Sequence, residues 1–124
     1  MKSALNVIRE NNTKETEREI IDNYAAYDLR TLVIPYGHKD LFGVCAEVLS
    51  QLPIDVFDGV AVEVTRWFQD LNWPGCNLIE NKLRQLPEQR LHQVVALGIA
   101  EAKKERDDEW EYNLSEVFAD FCHK

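Results

Sequence analysis

Three side chains have the types that acid–base chemistry needs. His38 carries an imidazole, the side chain most often used as a general acid or base, and Asp40, two residues on, or Asp70 further along, could orient it. That set would suit a small hydrolase-like enzyme, with His38 as the base. The rest of the apparatus is missing from the sequence. No serine or cysteine stands at a nucleophile elbow, and no second carboxylate is paired with a supporting acid. His38-Lys39-Asp40 also falls where a helix must begin, so the favoured reading makes Asp40 a cap that accepts backbone donors. Metal binding has equally little to work with. Cys122 and His123 are adjacent, His92 stands alone between Gln89 and Gln93, and no C-x-x-C or H-E-x-x-H spacing occurs. Glycines 37, 43, 59, 75 and 98 form neither a phosphate-cradling loop nor a dinucleotide fingerprint. No cofactor is expected.

The densest stretch is Trp67-Phe68-Gln69-Asp70-Leu71-Asn72-Trp73-Pro74. Tryptophan is seldom buried completely, and its N–H asks for an acceptor, so two indoles around a polar cluster need a reason. One reading is an interhelical corner, in which Asp70 and Asn72 accept N–H groups of the next helix while both indoles clamp the hairpin. The other adds that the corner's edge is exposed as an aromatic and acidic anchor for a partner, since tryptophan is enriched at interface hot spots. The candidate contact residues are then Trp67, Tyr36 and Tyr112, which depart from the inward period of their segments, bordered by Asp70 and Glu63.

These residues must be positioned by helices. The 124 residues suffice for one domain, and 45 % hydrophobic with 29 % charged residues is ordinary for a folded soluble chain. Apolar residues at steps of three and four mark helices over 40–52 (Leu41, Val44, Cys45, Val48, Leu49, Leu52) and over 53–71 (Phe57, Val60, Ala61, Val64, Phe68, Leu71). Asn72 then caps a helix with Pro74 in its first turn and Cys76, Ile79, Leu83 and Leu86 inward. Pro87 opens another, carrying Leu91, Val94, Val95, Gly98 and Ala102, and Trp110, Leu114, Val117, Phe118, Phe121 and Cys122 mark the last. A looser stripe over 14–29, capped by Thr13, predicts a first helix, and Thr31 to Pro35 reads as a linker packed on the core. The expected fold is all-α: a single domain over 1–124, with 1–13 as a flexible N-terminal tail and five or six helices stacked as antiparallel pairs. A HEAT-like stack is favoured over a small closed bundle because of the tight turn at Leu71–Pro74.

Lysine and arginine number 14 against 22 aspartates and glutamates, a net charge of −8. Such a surface repels phosphate backbones and anionic membranes and attracts basic proteins. The small basic clusters, Lys82 with Arg84 and Arg90, and Lys103 with Lys104 and Arg106, are interleaved with Glu80, Glu88, Glu101, Glu105 and Asp107, as on solvated helix faces. No apolar run approaches membrane-spanning length and no signal peptide is expected. Cys45, Cys76 and Cys122 stand among apolar neighbours and read as reduced thiols of a cytoplasmic protein.

The octet from Trp67 to Pro74, written W-x-Q-D-x-N-W-P, resembles the signature of a family of small bacterial all-helical domains of unknown function. The similarity extends to Ile34-Pro35 with His38-Lys39-Asp40, and to Asp107-Asp108-Glu109-Trp110 with Tyr112, so that it spans roughly residues 34 to 121. The sequence departs from that pattern at Gly75-Cys76, where an aliphatic pair is expected, and at Glu111, where a lysine is usual. The resemblance implies a helical fold and no enzymatic activity, and some members occur as small partners or immunity proteins in bacterial toxin systems. The leading expectation is therefore a non-enzymatic acidic adaptor or immunity protein that binds a basic partner such as a toxin. A hydrolase-like enzyme and a structural subunit that forms a homodimer are the alternatives.

Overall fold

Side-chain caps open three of the α-helices, at Ser3, Thr13 and Asp107. In the computed structural model, which describes residues 1–122 and side chains through Asp120, the first helix α1 (Ala4–Glu10) is capped by Ser3, whose hydroxyl accepts the Asn6 N–H. Ahead of it, β1 (Lys2–Ser3) pairs in parallel with β2 (Tyr27–Asp28), Lys2 opposite Tyr27 and Ser3 opposite Asp28. Within 1–13, where a flexible tail is expected, the helix Ala4–Glu10 is docked: Ala4 and Ile8 have no exposed surface, because an apolar stripe this short gains stability only by docking.

Thr13 caps α2 (Lys14–Asp22) as expected, its hydroxyl accepting the Thr16 N–H. The helix stops at Asp22, short of the predicted Leu29. The Asn23 amide donates to the carbonyl and carboxylate of Glu19, an alternative to the helical ladder, and the chain passes through a 3-10 turn (Tyr24–Ala26) into β2. A second 3-10 turn (Leu29–Leu32) leads to Ile34, and Leu32 and Ile34 are buried, so the linker does pack on the core.

A 3-10 turn (Lys39–Leu41) precedes α3 (Phe42–Ser50). Asp40 lies exposed within that turn and does not cap. The cap positions fall to His38 and Leu41, neither of which makes a side-chain capping bond. The single helix predicted over 53–71 is broken into α4 (Ile54–Asp58), α5 (Ala61–Val64) and a 3-10 turn (Thr65–Gln69). Gly59 ends α4 as its C-cap, and the Thr65 hydroxyl bonds back to the Val62 carbonyl at 2.6 Å, which tightens the following turn. Phe57, Val60, Ala61, Val64 and Phe68 are nonetheless all buried.

The next helix, α6 (Cys76–Leu83), begins after Gly75, three residues beyond the predicted cap Asn72, which is exposed. Pro87 opens α7 (Glu88–Lys104), and Asp107 caps α8 (Asp108–Val117) by accepting the Trp110 N–H at 2.9 Å. The last helix, α9, spans Ala119–Cys122. The side chains of Phe121 and Cys122, placed on the inward stripe by sequence, and His123 of the Cys122-His123 pair lie outside the described residues.

The architecture is all-α apart from the two-residue strand pair. The helix α7 folds back on α8, and both pack against the Thr65–Gln69 turn, while α3 lies against α6. Gly98 permits the first of these contacts: a Cβ there would stand 2.8 Å from the Thr65 hydroxyl and 3.1 Å from a Leu114 methyl. Trp67, Trp110, Phe57, Phe68 and Phe118 are the largest fully buried side chains, and Phe68 meets Phe118 edge-on at 5.5 Å.

Candidate functional site

The corner between the Thr65–Gln69 turn and α6 is closed by Trp67. Its ring has no exposed surface, and its indole N–H donates to the Pro74 carbonyl at 2.9 Å, seven residues ahead. Asp70 accepts the Asn72 N–H at 2.9 Å through its carboxylate and the Trp73 N–H at 3.1 Å through its carbonyl, so it folds the corner on itself and reaches no donor of the next helix. Trp73 is half-buried. Both indoles meet Phe42 edge-on, Trp73 at 5.3 Å and Trp67 at 6.3 Å, and so pin the corner to α3. Gly75 completes the turn with φ +88°, and a Cβ on it would lie 2.3 Å from the Ala46 methyl. Glycine at position 75 thus has a steric cause: only glycine fits both the left-handed backbone and the close approach to α3.

Gln69 joins the corner to two distant segments. Its side-chain carbonyl accepts the Tyr36 hydroxyl at 2.7 Å, and its amide donates to Asp107 at 3.4 Å. The other oxygen of Asp107 is the cap of α8. Segments 34–40, 67–74 and 107–112, singled out separately in the sequence, therefore meet through the side chains of Tyr36, Gln69 and Asp107. Next to them the Arg66 guanidinium makes a two-pronged ion pair with Glu105 and lies over the Trp110 ring, 4.8 Å from its centroid. The hydrogen bonds from Arg66 hold the Glu105 carboxyl below the usual carboxylate range. Buried Asn113 anchors α8 by donating to the Phe68 carbonyl at 2.8 Å.

Placement divides the sequence candidates. Trp67 cannot touch a partner, since it is wholly inside, whereas Tyr36 is 62 % exposed and Tyr112 is 64 % exposed with its hydroxyl on Glu116. Glu63 is paired with Arg30 at 3.4 Å, and Asn72 and Pro74 are exposed on the corner. Leu71 is an exposed apolar residue that periodicity misplaced. It was read as inward, but the chain leaves the 3-10 turn at Asp70 in an extended conformation and Leu71 is left 45 % exposed, two residues from Gln69. Gln69, whose role no composition or spacing rule indicates, is the hub.

The His38 backbone bonds to Pro35 and Leu41, the Asp70 carboxylate serves Asn72, and among the described residues no hydrogen bond or ion pair links His38 to Asp40 or Asp70. Burial pushes the Cys45 thiol up to about 12 and the Cys76 thiol up to about 11, away from the thiolate form. Among the described residues, no group of three or more His, Cys, Asp and Glu side chains is placed to hold a metal ion, and no helix is long and apolar enough to cross a membrane.

A family model described as a domain of unknown function, DUF5071, matches residues 33–123. The chain belongs to that family. No curated protein and no solved structure matches it. The DUF5071 region contains the whole Tyr36–Gln69–Asp107 arrangement and stops short of β1, α1, α2 and β2. Those N-terminal elements still share its core, for Ile8 and Ile20 are as fully buried as Leu49.

Proposed function

We propose that the protein is a non-enzymatic, acidic binding module for a basic protein surface, acting as an adaptor or as an immunity protein against a bacterial toxin in the cytoplasm. One observation carries this reading: Tyr36 is an exposed aromatic held in a fixed pose by the bond of its hydroxyl to Gln69. Tyrosine supplies a large contact area at low entropic cost, and more so when its two torsions are fixed before the partner arrives. The backbone leading to it is strained. Ile34, a β-branched residue, has φ +39°, and the Tyr36 N–H closes a tight turn around Pro35 on the Ile34 carbonyl at 2.7 Å. Burial of Ile34 holds that conformation in place, which turns Tyr36 outward.

Leu71, exposed within the same 67–74 corner, adds apolar surface. Asp107, Asp108, Glu109 and Glu111 at the start of α8 supply negative charge near the hub, where a basic surface is drawn in and wrong partners are repelled. The mechanism is occlusion by shape and charge, without a chemical step. The same net charge of −8 opposes pairing of two copies. Packing of α3 on α6 and of α7 on α8 supports a short stack of helix pairs as the scaffold. Capture from the native cell extract, with wild-type protein and with Tyr36→Ala, tests the proposal. The expected result is a basic protein retained at low salt, released as salt rises, and held at least tenfold less by the variant. Equal retention by the variant, or retention of acidic proteins alone, contradicts it.

A further inference from the structure

The structure also places an apolar groove of about 370 Å³ between α4 and the start of α7, lined by Ile54, Asp55, Asp58, Leu86, Pro87 and Arg90. None of these residues belongs to the Tyr36 cluster. A concavity of similar size along α2 is lined by Lys14, Glu15, Arg18, Glu19 and Asp22, all charged, whereas here Ile54, Leu86 and Pro87 form an aliphatic floor. Its walls are rigid: Pro53 and Pro87 stand at the N-cap positions of α4 and α7, with φ −55° and −53°. Such a groove needs little ordering when something enters it.

Charge selects the occupant. Arg90 is spent within the protein, its guanidinium bonded to the Asp58 carboxylate at 2.6 Å and to Gln93 at 2.6 Å, so it offers no site for an anion and Asp58 offers none for a cation. Asp55, exposed in the first turn of α4, has no such partner among the described residues and leaves one uncompensated negative charge at the rim. We infer that this groove binds an extended segment of a partner protein that seats an aliphatic side chain on Ile54 and Leu86 and sets an adjacent lysine or arginine against Asp55. A second copy of the chain is disfavoured by its net charge of −8. The inference shares only that charge with the Tyr36 reading and stands or falls apart from it.

Titration of the 15N-labelled full chain at low salt with the peptide acetyl-Leu-Lys-Leu-Lys-amide, followed by NMR, tests the groove. Saturable shifts should centre on Ile54, Asp58, Leu86 and Arg90, be absent with acetyl-Leu-Glu-Leu-Glu-amide, and need roughly tenfold more peptide in Asp55→Lys. Because Asp55 is exposed, the variant should keep the wild-type spectrum elsewhere, which the same experiment reads. Tyr36→Ala should leave the response unchanged, so loss of the Tyr36 site and loss of the groove are told apart. Shifts confined to the surroundings of Tyr36 and Leu71, an equal response to the acidic peptide, or an unaltered midpoint in Asp55→Lys would overturn the assignment.

Discussion

Trp67 and Trp73 are six residues apart and look equivalent in the sequence, yet they do different work. Trp67 is buried with its N–H satisfied, so Trp67→Ala removes a large ring and strands the Pro74 carbonyl, at a cost of about 3–5 kcal/mol. Trp73 is half-buried against Phe42, and its truncation should cost about 2 kcal/mol. Urea denaturation of both variants checks the ranking, and a Trp73 loss as large as that of Trp67 would refute it. Glu105 offers a pH test. Its carboxyl is held below the ordinary 4.5 by Arg66, so its stabilising effect is complete above that pH and is lost as the pH falls through the lowered folded value. Glu105→Gln should therefore cost up to about 1 kcal/mol at neutral pH, as for other half-exposed ion pairs. The variant should also lose less stability than wild type when denaturation is repeated in acid, and an identical acid dependence would remove Arg66–Glu105 from the account. At this scale the sequence was legible where a residue type has one dominant need. The Trp67 N–H sought an acceptor and found one, whereas Leu71 and Gln69 depend on where the backbone turns, which no single residue type encodes.

The helices that proved legible are those with a clean stripe and an unambiguous stop, namely α7 between Pro87 and the Lys103-Lys104 end, and α8 after Asp107. Those that did not were interrupted by local competition. Of the apolar stripe over 53–71 all but Leu71 faces inward, but the ladder that the periodicity implied is interrupted at Gly59–Val60 and tightens into a 3-10 turn from Thr65. Asn72 has the composition of a cap, yet the corner needs three more residues before α6 can start, because Gly75 must reach the left-handed region beside Ala46. Two glycines therefore carry the packing of elements and can be separated by experiment. Gly98→Ala drives a methyl into Thr65 and Leu114 and should cost about 1–3 kcal/mol. Gly75→Ala adds backbone strain to the collision with Ala46 and should be the more damaging. Thermal melting of the two variants tests the order, and a near-neutral Gly75→Ala would mean that α3 and α6 do not approach as closely as described.

For the molecule as a whole, the family model covers residues 33–123, and the N-terminal elements share the same buried core, the strand pair tying the first residues to Tyr27 and Asp28. Its net charge of −8, the exposed Tyr36 fixed on Gln69 and the convergence of three segments there are the features on which the proposed binding role rests. Composition made the charge plain. The convergence was hidden, because Tyr36, Gln69 and Asp107 are more than thirty residues apart in pairs and only the folded chain brings them together. The most direct test of the central claim is to replace Tyr36 with a photo-crosslinking phenylalanine analogue, irradiate the native cells and identify the adduct. The account predicts one principal adduct, with a protein of basic surface, absent when the same analogue is placed at Lys14 on α2. An adduct between two copies of the chain, or the same set of adducts from Lys14 as from Tyr36, would contradict it.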